Sequence, residues 1–370
     1  MTNYEQIFAG ISGVGTTITG SDFTRGFSAT QAFLANNNVG GFANFLNTST
    51  LAGTPGQLLR RAGLPENAVV ANPQVASAYF ITNLSNSIYH SLQVEVMKRF
   101  SHGYTFQGNY TLSKAMGDEE GDEVGVRGTF RTLRDRSLDR RVLSFSRKHV
   151  VRMNGIYELP FGKNKRFGGG ASGLVNRIVG GWQMGGLTTI SSGAPITITA
   201  NNTFNYLQAQ GAGASVAANT AVSLAALPAN LGAVQRTGNG VVFFSGLKQV
   251  IDPFVASIAT PAIRAQSTML AIADASGRII LANPAPGQLG TLSQNFFRGP
   301  GFFRLDLNVI KRIRVTETTD ISLRADAVNA TNTPAFAEPV TDINSTAFGR
   351  IASTLAGSNR VIVVGLRFNF

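Results

Sequence analysis

The feature that most constrains this chain is a strict alternation of apolar and polar residues that repeatedly continues for about ten residues. In the first such segment, Leu92, Val94 and Val96 alternate with Gln93 and Glu95. Successive side chains of a β-strand point to opposite faces, so each segment predicts a strand with one apolar and one polar face. Strands of soluble sandwiches average only about five or six residues. The length of the alternation therefore favours strands that cross a membrane.

This pattern recurs in seven segments, at about 88–99, 104–113, 148–159, 181–192, 303–309, 321–326 and 360–370. The connections between them are alternately short and long, as in bacterial outer-membrane barrels, whose short turns lie in the periplasm. We therefore predict an all-β fold, an antiparallel transmembrane β-barrel to which the chain supplies about seven to ten strands. Long extracellular loops are expected at about 116–147, 201–301 and 330–359.

The first part of the chain is different. Residues 1–86 are rich in Gly, Asn, Ala and Thr and lack the basic start and apolar core of a secretory signal peptide. An exported protein needs such a peptide, so we expect 1–86 to be a loop-rich segment truncated from a longer parent. The C-terminal barrel portion is expected to cover residues 87–370.

Composition supports strands as the elements that meet lipid. Only 14% of the residues are charged, against roughly 25% in typical soluble domains. No apolar run approaches the roughly 18–20 residues that a transmembrane helix needs. Cys is absent, which excludes disulfides and thiolate metal sites. The net charge of +12 suits an anionic partner, and we expect outer-membrane lipid and lipopolysaccharide rather than nucleic acid.

Charged residues recur on the polar faces of the predicted strands, where a wet or plugged barrel interior tolerates them. They either line a path through the barrel or pair with one another. The candidates for lining the lumen are Glu95, Arg99, Arg152, Glu158, Arg304, Asp306, Arg324 and Asp326.

Several short motifs occur in an order that resembles the barrel of Oar-like TonB-dependent transporters. They are the residues 86–94, 98–103, 110–114, 139–141, 148–151, 158–162, 181–183, 191–195 and 323–332. The resemblance covers about 86–370 and implies substrate uptake across the outer membrane with energy from TonB. Members of that family also carry a signal peptide, often a carboxypeptidase-regulatory-like domain, a plug and a TonB-contacting segment. We recognise none of these here, so contact with TonB is expected through the missing N-terminal part of the parent.

The last strand has a further implication through the same resemblance. Its apolar face ends on an aromatic residue and is formed by Ile362, Val364, Leu366, Phe368 and Phe370. In the family, the barrel-assembly machinery recognises a final amphipathic strand that ends in an aromatic residue. We therefore expect these five side chains to act as a membrane-assembly signal.

Each of three other sequence patterns can be explained either by a binding function or by structure alone. Residues 168–173 fit a glycine-rich nucleotide-binding pattern but follow a basic turn, so a flexible turn is favoured. The acidic residues of 118–123 could gather calcium, but their order differs from that of a known calcium loop, and a solvated loop is favoured. Neighbouring arginines could bind lipopolysaccharide phosphates or pair with those carboxylates. They are Arg127, Arg131, Arg134, Arg136, Arg140, Arg141 and Arg147.

Aromatic residues near the predicted strand ends favour interfacial girdles. They are Tyr104, Tyr110, Tyr157, Trp182, Phe368 and Phe370.

The three histidines are scattered, and no nucleophile motif is present. We therefore predict no catalytic residue, no metal site, no cofactor and no enzymatic activity. The alternative to a transport barrel is a surface-exposed structural or adhesin-like β-protein that binds ligands through long loops.

Overall fold

The computed structural model describes residues 28–48, 85–119, 135–203, 215–217, 219–220, 231–238, 240–285, 290–316 and 318–370, with a few single positions between 59 and 83. The helices in these residues are α1 (Ser28–Ala35), α2 (Val39–Thr48), a 3-10 turn (Arg136–Asp139), α3 (Gly173–Val179), α4 (Phe254–Ser257) and α5 (Pro261–Arg264). None of the described helices is long and apolar enough to span a membrane.

The described strands are short in the middle of the chain and long towards both its ends. They are β1 (Ser87–Ser101), β2 (Tyr104–Gly117), β3 (Arg141–Val142), β4 (His149–Glu158), β5 (Trp182–Ser191), β6 (Pro195–Ile196), β7 (Thr199–Thr203), β8 (Ser215–Ala217), β9 (Asn219–Thr220), β10 (Gln235–Thr237), β11 (Gly240–Val242), β12 (Lys248–Ile251), β13 (Leu270–Ala273), β14 (Ile279–Ala282), β15 (Phe297–Arg298), β16 (Phe302–Arg314), β17 (Asp320–Val328), β18 (Arg350–Ile351) and β19 (Val361–Asn369).

One antiparallel sheet, the main sheet, contains the seven predicted strands in the order β1-β2-β4-β5-β16-β17-β19. The short β3 extends it beside β2. A tight turn at His102 and Gly103 joins β1 to β2. Both residues have positive φ, 53° and 82°. That conformation matches the twist of a two-residue hairpin, and glycine adopts it without a steric penalty.

The pairing register places most apolar side chains of the main sheet on one surface, here called the apolar face, whereas a few such as Met97, Ile156 and Leu187 lie on the other. One row across five strands is Val94, Tyr110, Val151, Ile190 and Phe303. Many apolar side chains on this surface are uncovered; the residues Val96 and Leu366 are 58% and 74% exposed. An apolar surface of this extent requires an apolar surrounding.

The connections of the main sheet separate by length, as predicted. The hairpin turn at 102–103, residues 159–181 and residues 315–319 lie at one end, here called the short end. The connections of 118–148, 192–301 and 329–360 lie at the other, the long end. In outer-membrane barrels the short end is periplasmic.

The long end is covered by a cap, formed by β6–β15, β18, α4 and α5. Its sheets have the orders β12-β13-β14-β9, β10-β11-β18, β15-β6 and β7-β8. A hydrophobic core within the cap includes Ile198, Phe243, Ile272, Ile280 and Ile343, each at most 1% exposed. The interval expected to be the long loop 201–301 thus has secondary structure, and it shares a core with residues of 192–200 and 329–360.

Candidate functional site

The polar face of the main sheet, opposite the apolar face, brings most of the predicted lumen residues onto one surface. Glu95, Arg152 and Arg304 share one row, with Asn109 and Thr189 between them. Neighbouring strands lie about 4.8 Å apart, so Arg152 is about 10 Å from both Glu95 and Arg304 along that row. Arg99 lies in the irregular stretch between Lys98 and Ser101, where the register of β1 shifts.

Asp306 is the centre of one hydrogen-bond cluster on this face. The Nε–H of Arg304 donates to both of its carboxylate oxygens, at 2.9 and 3.0 Å. The main-chain N–H of Asn329 donates to Oδ1 of Asp306 at 2.8 Å. Asn329 is 2% exposed and has a φ of 49°, and its side chain donates to the carbonyl of Ser358. The carboxylate therefore links β16 to the connection that follows β17.

Other charges on the polar face are also paired. Arg324 lies 2.7 Å from Asp326, two residues along the same strand and thus on the same face. Glu158 lies 3.2 Å from Lys165, which comes from the short-end connection. Three of the four carboxylates predicted to line the lumen therefore form ion pairs. Within the described residues, no carboxylate forms an ion pair with Arg152, which leaves a cation exposed on the polar face.

Glu95 accepts a hydrogen bond from the side chain of Gln107 at 2.8 Å, so it has a neutral partner instead of a cation. A close approach occurs further along the face at Gly185. A Cβ atom there would lie 2.4 Å from Oδ1 of Asn308. The absence of a side chain at this position lets the Asn308 amide lie close to β5.

The cap is attached to the long end of the main sheet by polar contacts. The side-chain amide of Asn295 donates to the carbonyl of Val142 at 2.7 Å. Arg298 donates to the carbonyl of Ser146 at 3.1 Å. Burial lowers the pKa of Arg298 from its usual range, and the charge of Arg147 lowers that pKa further. These contacts hold the cap against β3 and the residues that follow it.

A buried polar cluster inside the cap holds its sheets together. Oδ1 of Asp252 accepts from the N–H of Phe254, and Oδ2 accepts from the N–H and the side-chain amide of Asn283, each at 2.9 Å. Asn344 donates to Oδ1 of Asn283 at 2.8 Å and to the carbonyl of Ala200 at 2.6 Å. Because every oxygen of this carboxylate has a donor, the cluster is a structural network.

The acidic and arginine-rich connection is described only in part. Oδ2 of Asp118 lies 2.6 Å from Arg136, and its Oδ1 accepts from the N–H of Asn86 at 2.7 Å. Arg136 thus pairs with a neighbouring carboxylate. Arg127, Arg131, Arg134 and the acidic residues of 120–123 lie outside the described residues. Among the residues that are described, no group of three or more metal-type side chains could hold a metal ion.

The predicted girdle aromatics occur near both ends of the apolar face. Tyr104 lies opposite Tyr157 at the short end, where Trp182 and Phe368 also lie. Tyr110 lies towards the long end and contacts Nδ1 of His149 through its hydroxyl at 2.9 Å. Phe370 is 95% exposed beyond β19. Ile362, Val364, Leu366 and Phe368 share the apolar face with Ala327, Ala325, Leu323 and Ile321 of β17.

Sequence reasoning did not identify two features that the structure shows. One is the core of the cap, whose short strands contain too few residues for a readable alternation. The other is the exposure of Leu174, Val175 and Ile178 on the short helix α3, which follows the glycine-rich residues 168–172. The run of 174–179 is compatible with a helix in the sequence, but the sequence does not show which of its side chains are uncovered. Within the expected loop 201–301, the sequence also predicts a short helix near 223–227, which lies outside the described residues, and a strand near 241–244, which corresponds to β11.

A comparison with protein families agrees with this geometry. A family described as "Outer membrane beta barrel domain" matches residues 19–362. Comparison with the curated proteins gives no match, and comparison with the solved structures gives none either. The predicted antiparallel barrel fold and the location in the bacterial outer membrane are confirmed by the match. The chain belongs to the outer membrane beta barrel domain family.

Proposed function

We propose that the chain forms the barrel of an outer-membrane transporter of the Oar-like, TonB-dependent kind, through which a water-soluble ligand enters the cell. The observation that carries this proposal is the separation of the two faces of the main sheet. Lipid requires apolar side chains on one side. A lumen that holds a ligand requires charged and polar side chains on the other, which Arg152, Arg304 and Asp306 supply.

The subtype rests on the ordered motifs in the sequence. The segments 148–151 and 323–332, which resemble those of the family, lie in or next to β4 and β17. The residues 191–195 lie where β5 leads into the cap. These positions place the motifs at the junctions between barrel strands and their connections. In such transporters TonB supplies the energy for uptake, and no catalytic chemistry is needed.

Nitrocefin entry into cells tests the transport proposal. Cells that contain a periplasmic β-lactamase and export the chain joined to a supplied signal peptide, TonB-contacting segment and plug of an Oar-like transporter are compared with and without TonB. The expected result is faster nitrocefin hydrolysis than in control cells, and only when TonB is present. Faster hydrolysis in both backgrounds would indicate a passive pore and overturn the coupling to TonB. Unchanged hydrolysis with the chain inserted in the outer membrane would overturn transport.

A surface-binding role is a second candidate because the cap is a folded module at the long end. Phe244 stacks on Phe348 with ring centres 5.1 Å apart, and Asp252 joins the start of α4 to Asn283, the residue after β14, through its hydrogen bonds. A cap of this kind presents a fixed surface to the outside. Cells that display the chain would then bind a ligand without importing it, which the unchanged hydrolysis above would favour.

A further inference from the structure

A basic groove lies at the short end of the main sheet. It has a volume of about 580 Å³, and its lining includes five cationic side chains. These five residues, here called the basic rim, are Lys163, Lys165, Arg177, Arg312 and Arg314. Lys165 is paired with Glu158. Within the part of the chain that is described, no carboxylate forms an ion pair with Lys163, Arg177 or Arg312. The rim therefore has positive charge available for an anionic group.

Helix α3 exposes apolar side chains next to these cations. Leu174, Val175 and Ile178 are 74%, 58% and 70% exposed, and Arg177 lies on the same helix. Three large apolar side chains uncovered beside basic ones are typical of a segment that lies at a membrane surface. The apolar side chains would enter the acyl region, and the cations would stay among the head groups.

The connection that carries α3 is held firmly to the main sheet. Oδ1 of Asn176 accepts from the N–H of Lys163 at 2.7 Å. The indole N–H of Trp182 donates to the carbonyl of Ile178 at 3.1 Å. The ammonium of Lys311 donates to the carbonyl of Gly180. Lys163, Arg177 and α3 are thus held beside Trp182 and Lys311, which lie on the apolar face. Arg312 and Arg314 of the basic rim alternate onto the polar face of β16.

We propose that Lys163 and Arg177 of the basic rim bind the phosphate group of an anionic glycerophospholipid from the periplasmic leaflet, with its acyl chains against α3 and the apolar face. The proposal rests on the orientation in the proposed function, in which the short end is periplasmic. Phosphate complements Lys163 and Arg177, and the acyl chains complement Leu174 and Ile178. This combination of a charged groove and an adjoining apolar surface fits one amphipathic lipid.

Trp182 provides a direct measurement because it is the single tryptophan of the chain. The purified full chain is reconstituted into phosphatidylcholine vesicles that contain a small, equal fraction of brominated phosphatidylglycerol or brominated phosphatidylcholine. Bromine on an acyl chain quenches tryptophan fluorescence at contact distance. We expect stronger quenching by the brominated phosphatidylglycerol, because each basic side chain near the surface enriches an anionic lipid by about fivefold.

The double variant Lys163→Gln/Arg177→Gln should lose most of this excess quenching. Both side chains are exposed, so the variant is expected to fold. The matched control is Arg236→Gln/Lys248→Gln, which removes two exposed cations from the cap and should keep the excess. Arg177→Lys should retain much of the effect, since it keeps the charge.

The outcomes separate this proposal from the proposed function. Equal quenching by the two brominated lipids would overturn lipid binding at the basic rim and leave the apolar face in lipid. An equal loss of the excess in both double variants would also overturn it, because net charge alone would then explain the enrichment. No quenching by either lipid would overturn the proposal together with the placement of Trp182 in the membrane.

Discussion

The main-chain N–H of Asn329 donates a 2.8 Å hydrogen bond to Oδ1 of Asp306, which joins the end of β17 to the middle of β16. Asp306→Ala leaves this buried donor without a partner and removes the acceptor of Arg304. Asp306→Asn keeps an oxygen for Asn329 but removes the negative charge. We expect the free energy of unfolding to fall by about 1–3 kcal/mol in Asp306→Ala and by less in Asp306→Asn.

The measurement is the free energy of unfolding in urea. The folded fraction at each urea concentration is the fraction of protein whose gel mobility changes when the sample is heated. Asp326→Ala is the comparison, because the partner of Asp326 within the described residues is the exposed side chain of Arg324 and not a buried amide. Equal losses for Asp306→Ala and Asp326→Ala would show that the contact with Asn329 contributes nothing.

Met153 and Asn154 are adjacent in β4 and allow a test of the two faces. Met153 lies opposite Gly108 and Thr188 on the apolar face, whereas Asn154 lies on the polar face. Met153→Arg places a charge in lipid near the middle of the strand and should cost about 2–4 kcal/mol. Asn154→Arg should change little. The measurement is the urea unfolding free energy of both variants, and a cost for Asn154→Arg equal to that for Met153→Arg would contradict the assignment.

The cap is expected to depend on the buried carboxylate of Asp252. Asp252→Ala leaves three donors from Phe254 and Asn283 without an acceptor, and about 3 kcal/mol of cap stability should be lost. The measurement is trypsin cleavage of the exported chain on whole cells, where cleavage at the cap residues Arg264 and Arg278 should become faster. Glu338→Gln, at an exposed carboxylate, is the control. Cleavage at the same rate in both variants would exclude the structural role.

Phe370 is expected to contribute to membrane assembly. Removing it shortens the aromatic end of β19, where Phe368 already pairs with Ile321, and should reduce the amount of heat-modifiable protein in the outer membrane. Phe370→Tyr keeps an aromatic ring and should insert normally. Unchanged insertion after the deletion would remove Phe370 from the assembly signal, and equal loss in Phe370→Tyr would show that the ring itself is not what matters.

The long strands of the main sheet could be predicted from the sequence because a period of two is readable when it persists. The expected strand 181–192 corresponds to Trp182–Ser191, and the expected strand 148–159 corresponds to His149–Glu158. The pairing of Arg324 with Asp326 also follows from that period, because residues two apart share a face. The division into a segment 1–86 and a barrel portion 87–370 stays a prediction.

The cap and the basic rim could not be predicted in the same way. Strands such as β11 and β14 have three and four residues, which is too short for an alternation to be distinguished from chance. The core brings together residues as far apart as Ile196 and Ile351. Arg177 and Arg314 likewise meet only because β5 pairs with β16. Contacts between such distant residues depend on the complete topology.

The most direct measurement of the central claim, that the main sheet has one face in lipid and one in water, is cysteine labelling. The chain has no native Cys, so each introduced Cys is unique. Val94→Cys and Met153→Cys lie on the apolar face, and Gln93→Cys and Asn154→Cys lie on the polar face. In outer membranes, a membrane-impermeant maleimide should label the two polar-face variants and leave the two apolar-face variants unlabelled until the protein is unfolded. Equal labelling of all four, or labelling of the apolar-face pair alone, would contradict the account.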